Sequence, residues 1–296
     1  MQPASYQRIS ERLGYSSSTK LLIVHADDFG LAQSENAATI AGLEQGAINS
    51  SSIMVPCSWF PESAAYAKSR PTADLGIHLT LTSEWQHYRW RPVLPVREVP
   101  SLVDEQGFLH ESVEKLVRNA TGQDIGKELR AQIERGIQFG LAPTHLDSHM
   151  FSLVARPEFL QVYLTLSRDY QLPILLNQAF IQRTARYDIS SYVTDGDILV
   201  DQLYSAEPAD FEAGLASFYA RTLENLKPGL SVILVHPAYN NAEMQAITVN
   251  HPYWAADWRQ QDFDFFTSDR CRGLLQTNQI QLITWREIRD KLLNEL

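Results

Sequence analysis

Short apolar runs alternate with amphipathic helical segments along the whole chain, and this alternation restricts the fold more than any other feature. Residues 21–24, 173–176 and 230–235 are almost wholly apolar, as strands buried on both faces are. Residues 126–139 and 157–170 instead repeat apolar residues every three or four positions, as amphipathic helices do. Strands separated by helices predict an α/β fold with a mostly parallel sheet or barrel.

The length of the chain fits such a barrel. Its 296 residues are many for an ordinary domain but normal for one α/β barrel. Apolar residues make up 44% and charged residues 20%, so a large core can be buried and a disordered class is excluded. We find no repeat, low-complexity tract or linker, and therefore expect a single domain over 1–296. Within it, 1–19 is a polar lead-in segment with a short helix near 6–13.

Charge and cysteine content restrict the partners and the compartment. The formal net charge of -10 argues against a nucleic-acid partner, since phosphate backbones are bound by clusters of lysine and arginine. No run is apolar enough for a signal peptide or a membrane span, so we expect no membrane partner. Cys57 and Cys271 match no metal spacing and form no disulfide framework. These features predict a cytoplasmic protein.

The other segments continue the alternation. Ser34 opens a predicted helix that closes at Gly46, a residue suited to a helix C-terminal cap. The strand at 74–81 has a hydrophobic period of two. In addition to the segments above, we predict strands at 21–26, 51–55, 198–200 and 279–283, and helices at 61–70, 211–226 and 285–296.

Residues 82–112 interrupt the pattern with an irregular stretch rich in proline and tryptophan. A loop of this length inside a compact domain is usually functional, so we interpret it as a lid or a binding loop. The alternative is an excursion that covers the mouth of the barrel and binds nothing.

Acidic and imidazole side chains follow or lie within the predicted strands. Asp27 and Asp28 come directly after the first strand, and His236 comes directly after the strand at 230–235. His78 lies within the strand at 74–81. Since the carboxyl ends of parallel strands meet at one edge, where α/β proteins carry out chemistry, these groups are candidates for one site.

A third polar segment adds two histidines and one aspartate. His145, Asp147 and His149 point to one face if 145–149 is extended, because side chains alternate across a strand. Aspartate and histidine from separate strands are typical metal ligands. The spacing does not separate His145 from His149 as the ligand.

Each of these residues also has a structural interpretation. Asp27 and Asp28 are residues that commonly cap the next helix. A single strand histidine is more often a hydrogen-bonded core residue than a ligand. Asp147 could serve only to orient a neighbouring histidine. The convergence of four such segments favours a metal site over any of these interpretations.

Four segments resemble the signature runs of one family, the YdjC-like carbohydrate deacetylases, also called the chitooligosaccharide deacetylase (ChbG/HpnK) family. The resemblance covers roughly 20 to 290 of the chain. The four runs are HADDFG at 25–30, LGIHLTLTSEW at 75–85, PTHLDSH at 143–149 and LVHPA at 234–238. Two departures concern the substrate: family members often carry asparagine in place of His25, and further histidines where this chain has Met150 and Phe151.

The resemblance implies an irregular (β/α) barrel, related in style to the polysaccharide deacetylases. It also implies a metal-dependent removal of acetyl groups from N-acetylated sugars, which yields acetate. By position, Asp28, His78 and His149 would be the metal ligands, Asp27 the general base and His236 the general acid.

The expected cofactor is one divalent metal ion, either Mg²⁺ or Zn²⁺. One carboxylate and two imidazoles favour Zn²⁺, since Mg²⁺ prefers more oxygen ligands, whereas the family is commonly described with Mg²⁺.

The expected partner is a small N-acetylated sugar. Trp85, Arg91 and His145 are candidate substrate-binding residues, and packing at the barrel rim is the alternative for Trp85. The aromatic residues of 239–266 are candidates for a groove or for the interface of a homodimer.

Two other functions are consistent with these residues. One is a metal-dependent hydrolase of a different substrate, such as a phosphoester, which would usually need more basic groups or a second metal. The other is a carbohydrate-binding or regulatory protein without turnover. Binding alone needs neither a general base nor a general acid, so the presence of both favours the enzyme.

Overall fold

The computed structural model describes residues 9–46 and 48–293, and a parallel seven-stranded sheet forms the centre of that part of the chain. The strand order is β4-β3-β2-β1-β6-β5, and β7 pairs with β1 outside this path. Every pairing between these strands is parallel. The strands are β1 (Lys20–Phe29), β2 (Ser50–Ile53), β3 (Leu75–Leu79), β4 (Leu146–Ser148), β5 (Gln202–Ser205), β6 (Gly229–Val235) and β7 (Ile280–Leu282).

The central strand β1 is longer than predicted, because it continues through the two aspartates to Phe29. Its pairing with β2 runs from His25 to Phe29, with an irregular register between Ala26 and Phe29. Asp28 has a φ of 65°, the left-handed conformation that such an irregularity produces. The prediction that the strand ends before the aspartates is therefore wrong. So is the capping alternative, because the next helix begins at Gln33 without a side-chain cap.

Three strands pair with β1, which explains its central place. β6 pairs with it over Lys20–Ala26, while β7 pairs with its first three residues and β2 with its last five. Asn49 lies where β2 and β7 approach the same edge. Its side chain accepts a hydrogen bond from the Val24 N–H at 2.8 Å and donates one to the Ile283 carbonyl at 2.8 Å.

The two ends of the sheet are joined by backbone hydrogen bonds through two segments outside the ladder. The Leu175 N–H donates to the Leu146 carbonyl of β4, and the Val200 N–H donates to the Leu176 carbonyl. The Asp201 N–H then donates to the Leu230 carbonyl of β6. The predicted strands at 173–176 and 198–200 are thus bridging segments, and the sheet curls into the irregular barrel that was expected.

Helices surround this barrel, and most lie where the apolar period predicts them. The predicted helix at 211–226 is two helices, because Gly214 adopts a φ of 97° and separates them. Parts of two predicted helices, at 6–8 and 294–296, lie outside the described residues. The helices are α1 (Ile9–Arg12), α2 (Gln33–Gln45), α3 (Phe60–Ser69), α4 (Val113–Asn119), α5 (Gly122–Gln138), α6 (Pro157–Tyr170), α7 (Gln178–Thr184), α8 (Pro208–Ala213), α9 (Leu215–Glu224), α10 (Ala242–Ile247), α11 (Ala256–Phe266), α12 (Asp269–Thr277) and α13 (Trp285–Leu292).

The stretch at 82–112 is irregular, as predicted, with only two short 3₁₀ turns at Val96–Glu98 and Pro100–Leu102. It is nevertheless well packed. The indole of Trp90 is buried and donates to the Thr82 carbonyl at 2.8 Å. In the described ranges, no helix is both long enough and apolar enough to cross a membrane.

The period of two in β3 reflects the two faces of the barrel wall rather than core and solvent. All residues from Leu75 to Leu79 are buried. Ile77 faces outward against Gly136 of α5, where a Cβ would lie 2.7 Å from the Ile77 side chain. Gly76 faces inward, where a Cβ would lie 2.5 Å from Nε2 of His145. The inner face therefore carries the polar residues and the outer face packs on helices.

We expect Gly76→Ala to lower the free energy of unfolding by about 1–3 kcal/mol, because the added methyl group overpacks the ring of the buried His145. Urea unfolding followed by circular dichroism measures this. Gly273→Ala in α12 is the matched control, since no heavy atom beyond the neighbouring residues and the backbone of the same helix lies within 4 Å of the new methyl group. That variant should be more stable than the wild type by about 0.5–1 kcal/mol. Equal stability of Gly76→Ala and the wild type would contradict the close packing of the inner layer.

Candidate active site

The carboxyl ends of four strands meet at one end of the barrel, and each contributes a polar side chain. Asp27 and Asp28 lie at the end of β1, and His78 lies near the end of β3. His149 begins the 3₁₀ turn after β4, and His236 follows β6 directly. Parallel pairing brings these ends together, as expected from the sequence.

Three of these side chains form a nearly equilateral triangle of donor atoms. Asp28 Oδ1 lies 3.3 Å from His78 Nε2 and 3.2 Å from His149 Nδ1, and the two nitrogens are 3.2 Å apart. The three side chains are almost fully buried, and Asp28 Oδ1 has no hydrogen-bond donor. A point about 2.0–2.1 Å from all three atoms, the ligand distance of Zn²⁺ or Mg²⁺, lies just above the triangle. These residues therefore fit a small divalent cation.

Two other groups of acidic and histidine residues in the described chain lie as close together. They are His25 with His145 and Asp147, and Asp27 with His78 and Asp147. In both groups, histidine and aspartate atoms already hydrogen-bond to each other, with Asp147 2.9 Å from His25 and 2.8 Å from His78. They are less suited to a cation than the triangle, because Asp147, which both groups share, already accepts hydrogen bonds at both of its oxygens. The carboxylate oxygen of the triangle, Asp28 Oδ1, has no hydrogen-bond partner.

Asp147 holds the first imidazole of the triangle. Its Oδ1 accepts from Nδ1 of His78 at 2.8 Å, so Nε2 of His78 is the ring nitrogen that faces the triangle. Its Oδ2 accepts from Nε2 of His25 at 2.9 Å and from the Ser52 hydroxyl at 2.7 Å. Burial alone would raise the pKa of Asp147, but His78 and His25 outweigh burial and keep that pKa well below its usual value. The orienting role considered for Asp147 thus has a geometric basis.

Glu84 holds the second imidazole. Both of its carboxylate oxygens lie 3.1 Å from Nε2 of His149, whose Nδ1 faces the triangle. Burial would lower the pKa of His149, but Glu84 and Asp28 raise that pKa to about 9 in the metal-free protein. Glu84 lies in the second signature run, yet the sequence reasoning assigned it no role.

Arg259 holds the carboxylate of the triangle, and it was not predicted. Its Nη2 donates to Asp28 Oδ2 at 2.9 Å, and its Nη1 donates to Glu35 Oε1 at 2.5 Å. Burial would raise the pKa of Asp28, but Arg259 and the imidazoles of His149 and His78 keep that pKa well below its usual value. No local pattern marks this arginine, because it lies on α11, more than two hundred residues from Asp28.

Asp27 and His236 lie side by side next to the triangle. Asp27 Oδ2 is 3.7 Å from Nε2 of His236, and Asp27 Oδ1 is 3.3 Å from Nε2 of His25. Burial raises the pKa of Asp27 to about 7. Burial also lowers the pKa of His236 to about 3, although Asp28 opposes this shift. In the metal-free protein at neutral pH, His236 is therefore a neutral imidazole beside a basic carboxylate.

A cavity of about 240 Å³ opens onto this cluster. Asp27, Asp28, His149 and His236 line its base, while aromatic and sulfur-containing side chains form much of its walls, namely Trp85, Met150, Phe151 and Trp254. A larger and more open cavity of about 580 Å³ lies over Asn177 and Asp201, away from these groups. We assign the chemistry to the smaller cavity, because that cavity contains the clustered ionisable side chains.

Of the three predicted substrate-binding residues, only Trp85 lines this cavity. Arg91 is instead exposed, and its guanidinium lies over the ring of Phe108 at 5.2 Å. His145 is fully buried, stacks on Trp285 and bonds to the Thr144 hydroxyl at 2.9 Å. The structure therefore does not place Arg91 or His145 among the residues that line this cavity. Arg91 lies on a surface loop, and the side chain of His145 points into the closed inner layer below His25.

The aromatic residues of 239–266 divide between the cavity and the core. Trp254 lines the cavity and stacks on Trp258 with ring centres 4.7 Å apart. Trp258 itself is buried in the core, and the Tyr253 hydroxyl bonds to Glu212. Only Trp254 of these three thus fits the predicted groove.

Comparison with known proteins identifies close similarity over most of the chain. The family model described as YdjC-like protein matches residues 21–277. A carbohydrate deacetylase of Thermus thermophilus is 32% identical over 292 residues, which are 95% of this chain and 98% of that protein. A chitooligosaccharide deacetylase of Serratia marcescens is 27% identical, over 79% of this chain and 87% of the relative.

A solved structure is also similar in fold. It is a protein of Enterococcus faecalis V583, provisionally described as a cellobiose-phosphate cleavage protein, and it superimposes with a TM-score of 0.76 at 25% identity. The match covers 92% of this chain and 99% of that one. The irregular barrel is thus shared over nearly the full length of both proteins.

The carboxyl group beneath His236 gives a pH-dependent prediction. Asp262 accepts from the Tyr219 hydroxyl at 2.6 Å and from the His236 N–H at 2.9 Å, and burial raises the pKa of Asp262 to about 7. The folded protein therefore binds this proton more tightly than the unfolded chain does. The stabilisation of the folded state by this proton on Asp262 is present below about pH 4 and is lost as the pH rises to about 7.

Asp262→Asn removes this titration, so the stability of the wild type relative to the variant should fall between about pH 4 and pH 7. Urea unfolding of metal-stripped proteins across this range measures the difference. Asp264→Asn, at an exposed position of the same helix, controls for the change of residue type. A difference in stability that is independent of pH would contradict the raised pKa.

Proposed function

The chain belongs to the YdjC-like family, and we propose that it is a metal-dependent hydrolase that removes acetyl groups from N-acetylated carbohydrates. The observation that carries this proposal is the donor triangle of Asp28, His78 and His149, of which Asp28 and His149 line one cavity together with the basic carboxylate of Asp27. The named activity of the Thermus thermophilus relative supports the same reaction class. The products would be acetate and a free amino sugar.

The metal would be held by Asp28, His78 and His149, and the donor set favours Zn²⁺ over Mg²⁺. The three donor atoms are 3.2–3.3 Å apart, close enough for one small divalent ion to contact all of them. Two imidazoles among three ligands agree with this preference.

When bound, such a cation would supply a Lewis acid that polarises the acetamide carbonyl and makes a nearby water easier to deprotonate. Asp27 accepts the proton of the attacking water. Its Oδ1 has no hydrogen-bond donor, and its raised pKa of about 7 makes the carboxylate a competent base near neutral pH.

His236 completes the proton transfer to the leaving nitrogen. Since its imidazole is neutral before the reaction, it must receive a proton before it can donate one. Asp27 Oδ2, 3.7 Å away, is the nearest carboxylate oxygen from which that proton can come. The water oxygen bonds to the acyl carbon, the carbon–nitrogen bond breaks, and the amine leaves with the proton passed on by His236.

The charge of the cavity favours a neutral substrate over a phosphoester. Asp27, Asp28 and Glu84 line it, and the guanidinium of Arg259 is shared between Asp28 and Glu35. No unpaired cation is therefore available on the described cavity wall to bind a phosphate. The partly exposed indole ring of Trp254 provides apolar surface for a sugar ring, whereas the indole of Trp85 is only 2% exposed and packs within the cavity wall.

We expect metal-stripped protein to release acetate from N,N′-diacetylchitobiose only after a divalent ion is added back, with Zn²⁺, Mg²⁺, Mn²⁺ and Co²⁺ compared. Asp28→Ala and His149→Ala should each lower the rate by more than about a hundredfold. Loss of a group that only hydrogen-bonds to a ligand costs up to about a hundredfold, and loss of the ligand itself should cost more. His87→Ala, at an exposed position in the irregular stretch, is the control and should keep full activity. No release with any ion, from a protein that binds the ion at these residues, would contradict the acetyl substrate.

Asp27→Asn distinguishes the enzyme from a carbohydrate-binding protein without turnover. The variant keeps the triangle but lacks the base, so acetate release should fall by about 10²–10⁴-fold while metal affinity stays within about twofold. Acetate assays and calorimetric metal titration measure the two quantities on the same sample. A variant that retains turnover would exclude Asp27 as the base, and a wild type that binds sugar without releasing acetate would support the binding protein.

A further inference from the structure

Arg259 is a buried cation at the cavity, and the mechanism above gives it no part in proton transfer. Its side chain is 3% exposed, and each of its three nitrogens donates a hydrogen bond to another group of the protein. Nη2 donates to Asp28 Oδ2 at 2.9 Å, Nη1 donates to Glu35 Oε1 at 2.5 Å and Nε donates to the Trp254 carbonyl at 2.7 Å. One planar group thus joins β1, α2 and the segment before α11.

The bond to Asp28 determines which carboxylate oxygen faces the metal site. Asp28 Oδ2 is held by the guanidinium, so Oδ1 is left in the triangle, within 3.3 Å of His78 and His149. Asp28 also has the strained φ of 65°, so its backbone position is specific to this turn of the strand. Without the guanidinium, the carboxylate could rotate, and Oδ1 would no longer have one fixed position.

The same guanidinium contacts the walls of the cavity. Its central carbon lies 5.3 Å from the ring centre of Trp85, within the range of a cation–π contact. Its Nε fixes the backbone carbonyl of Trp254, whose φ of 53° is also left-handed. Trp85 and Trp254 both line the cavity. The metal ligand and two residues of the cavity wall are therefore attached to one side chain.

We propose that Arg259 is a positioning residue, which orients Asp28 toward the metal site and couples that ligand to the Trp85 and Trp254 walls of the cavity. The proposal rests on the proposed function, since it assumes that Asp28 is a metal ligand. A lysine cannot replace this arrangement, because an ammonium on a flexible stem does not reach three acceptors in a fixed plane. Glu35, fully buried with Oε2 unpaired, anchors the far side of the guanidinium.

The test compares Arg259→Lys with the wild type by calorimetric titration of Zn²⁺ into metal-stripped protein. Loss of a group that hydrogen-bonds to a metal ligand typically lowers metal affinity by about 10–100-fold, and we expect that decrease here. Arg289→Lys is the matched control, because Arg289 lies on α13, no residue of which lines the cavity, and its side chain, 18% exposed, donates to the Pro143 carbonyl. Circular dichroism and thermal unfolding confirm that each variant is folded.

A second readout tests the coupling to the cavity walls. At saturating Zn²⁺, Arg259→Lys should recover most of its kcat but keep a raised KM, because excess metal refills the site without restoring the bond to the Trp254 carbonyl. If Arg259→Lys does not fold, the double variant Arg259→Met with Glu35→Gln replaces it with the same expectations. That variant avoids a second unpaired buried carboxylate.

Equal Zn²⁺ affinity of folded Arg259→Lys and wild type would overturn the positioning role. A KM that returns to the wild-type value at saturating Zn²⁺ would overturn the coupling to the tryptophans. Since affinity is measured without substrate, the first outcome does not depend on the reaction. A wild type that binds Zn²⁺ but releases no acetate would overturn the proposed function instead.

Discussion

Two neighbouring carboxylates, Asp27 and Asp28, are buried at the end of the central strand, and the arrangement of the site follows from the need to stabilise them. Like charges side by side in a low-dielectric interior are unfavourable unless cations or hydrogen-bond donors compensate them. Arg259 and the imidazoles of His78 and His149 compensate Asp28. Asp27 has weaker partners, at 3.3 Å and 3.7 Å, so burial raises its pKa to about 7. Two adjacent aspartates thus have opposite properties.

This difference suits the chemistry that we propose. A carboxylate that stays ionised is a good metal ligand, whereas a carboxylate with a pKa near neutrality is a good general base. Each candidate ligand is held by a charged partner: the carboxylate of Asp28 by a guanidinium, and the two imidazoles by carboxylates. The pairs are Asp28 with Arg259, His78 with Asp147 and His149 with Glu84. Such support fixes the donor atoms before a metal binds. The rigidity of the site therefore comes from its surroundings as much as from the triangle.

The residues that orient the ligands were the hardest to predict. An orienting role for Asp147 was considered from the sequence, whereas Glu84 was given no role although it lies within the second signature run, where a search for carboxylates near the histidines could have found it. Arg259 and Glu35 lie on helices without any such run, and only their burial identifies them. His145 shows the opposite case. Its spacing makes it equivalent to His149, but the barrel places its ring in the inner layer, beneath Gly76 and against Trp285.

The sequence by itself determined the alternation of strands and helices, because this alternation depends on local periodicity. It also determined the parallel sheet and the edge at which the polar residues meet, because parallel strands all end at the same edge. The resemblance of four short runs then indicated the triangle and Asp27. Only the tertiary structure decided which atoms converge and how the barrel closes. Three features of the site and the barrel depend on contacts between residues far apart in the chain. They are the approach of Asp28 Oδ1 to His149 Nδ1, the bridging segments at 173–176 and 198–201, and the hydrogen bonds of the Arg259 guanidinium. Their positions result from packing of the whole barrel, which no local pattern encodes.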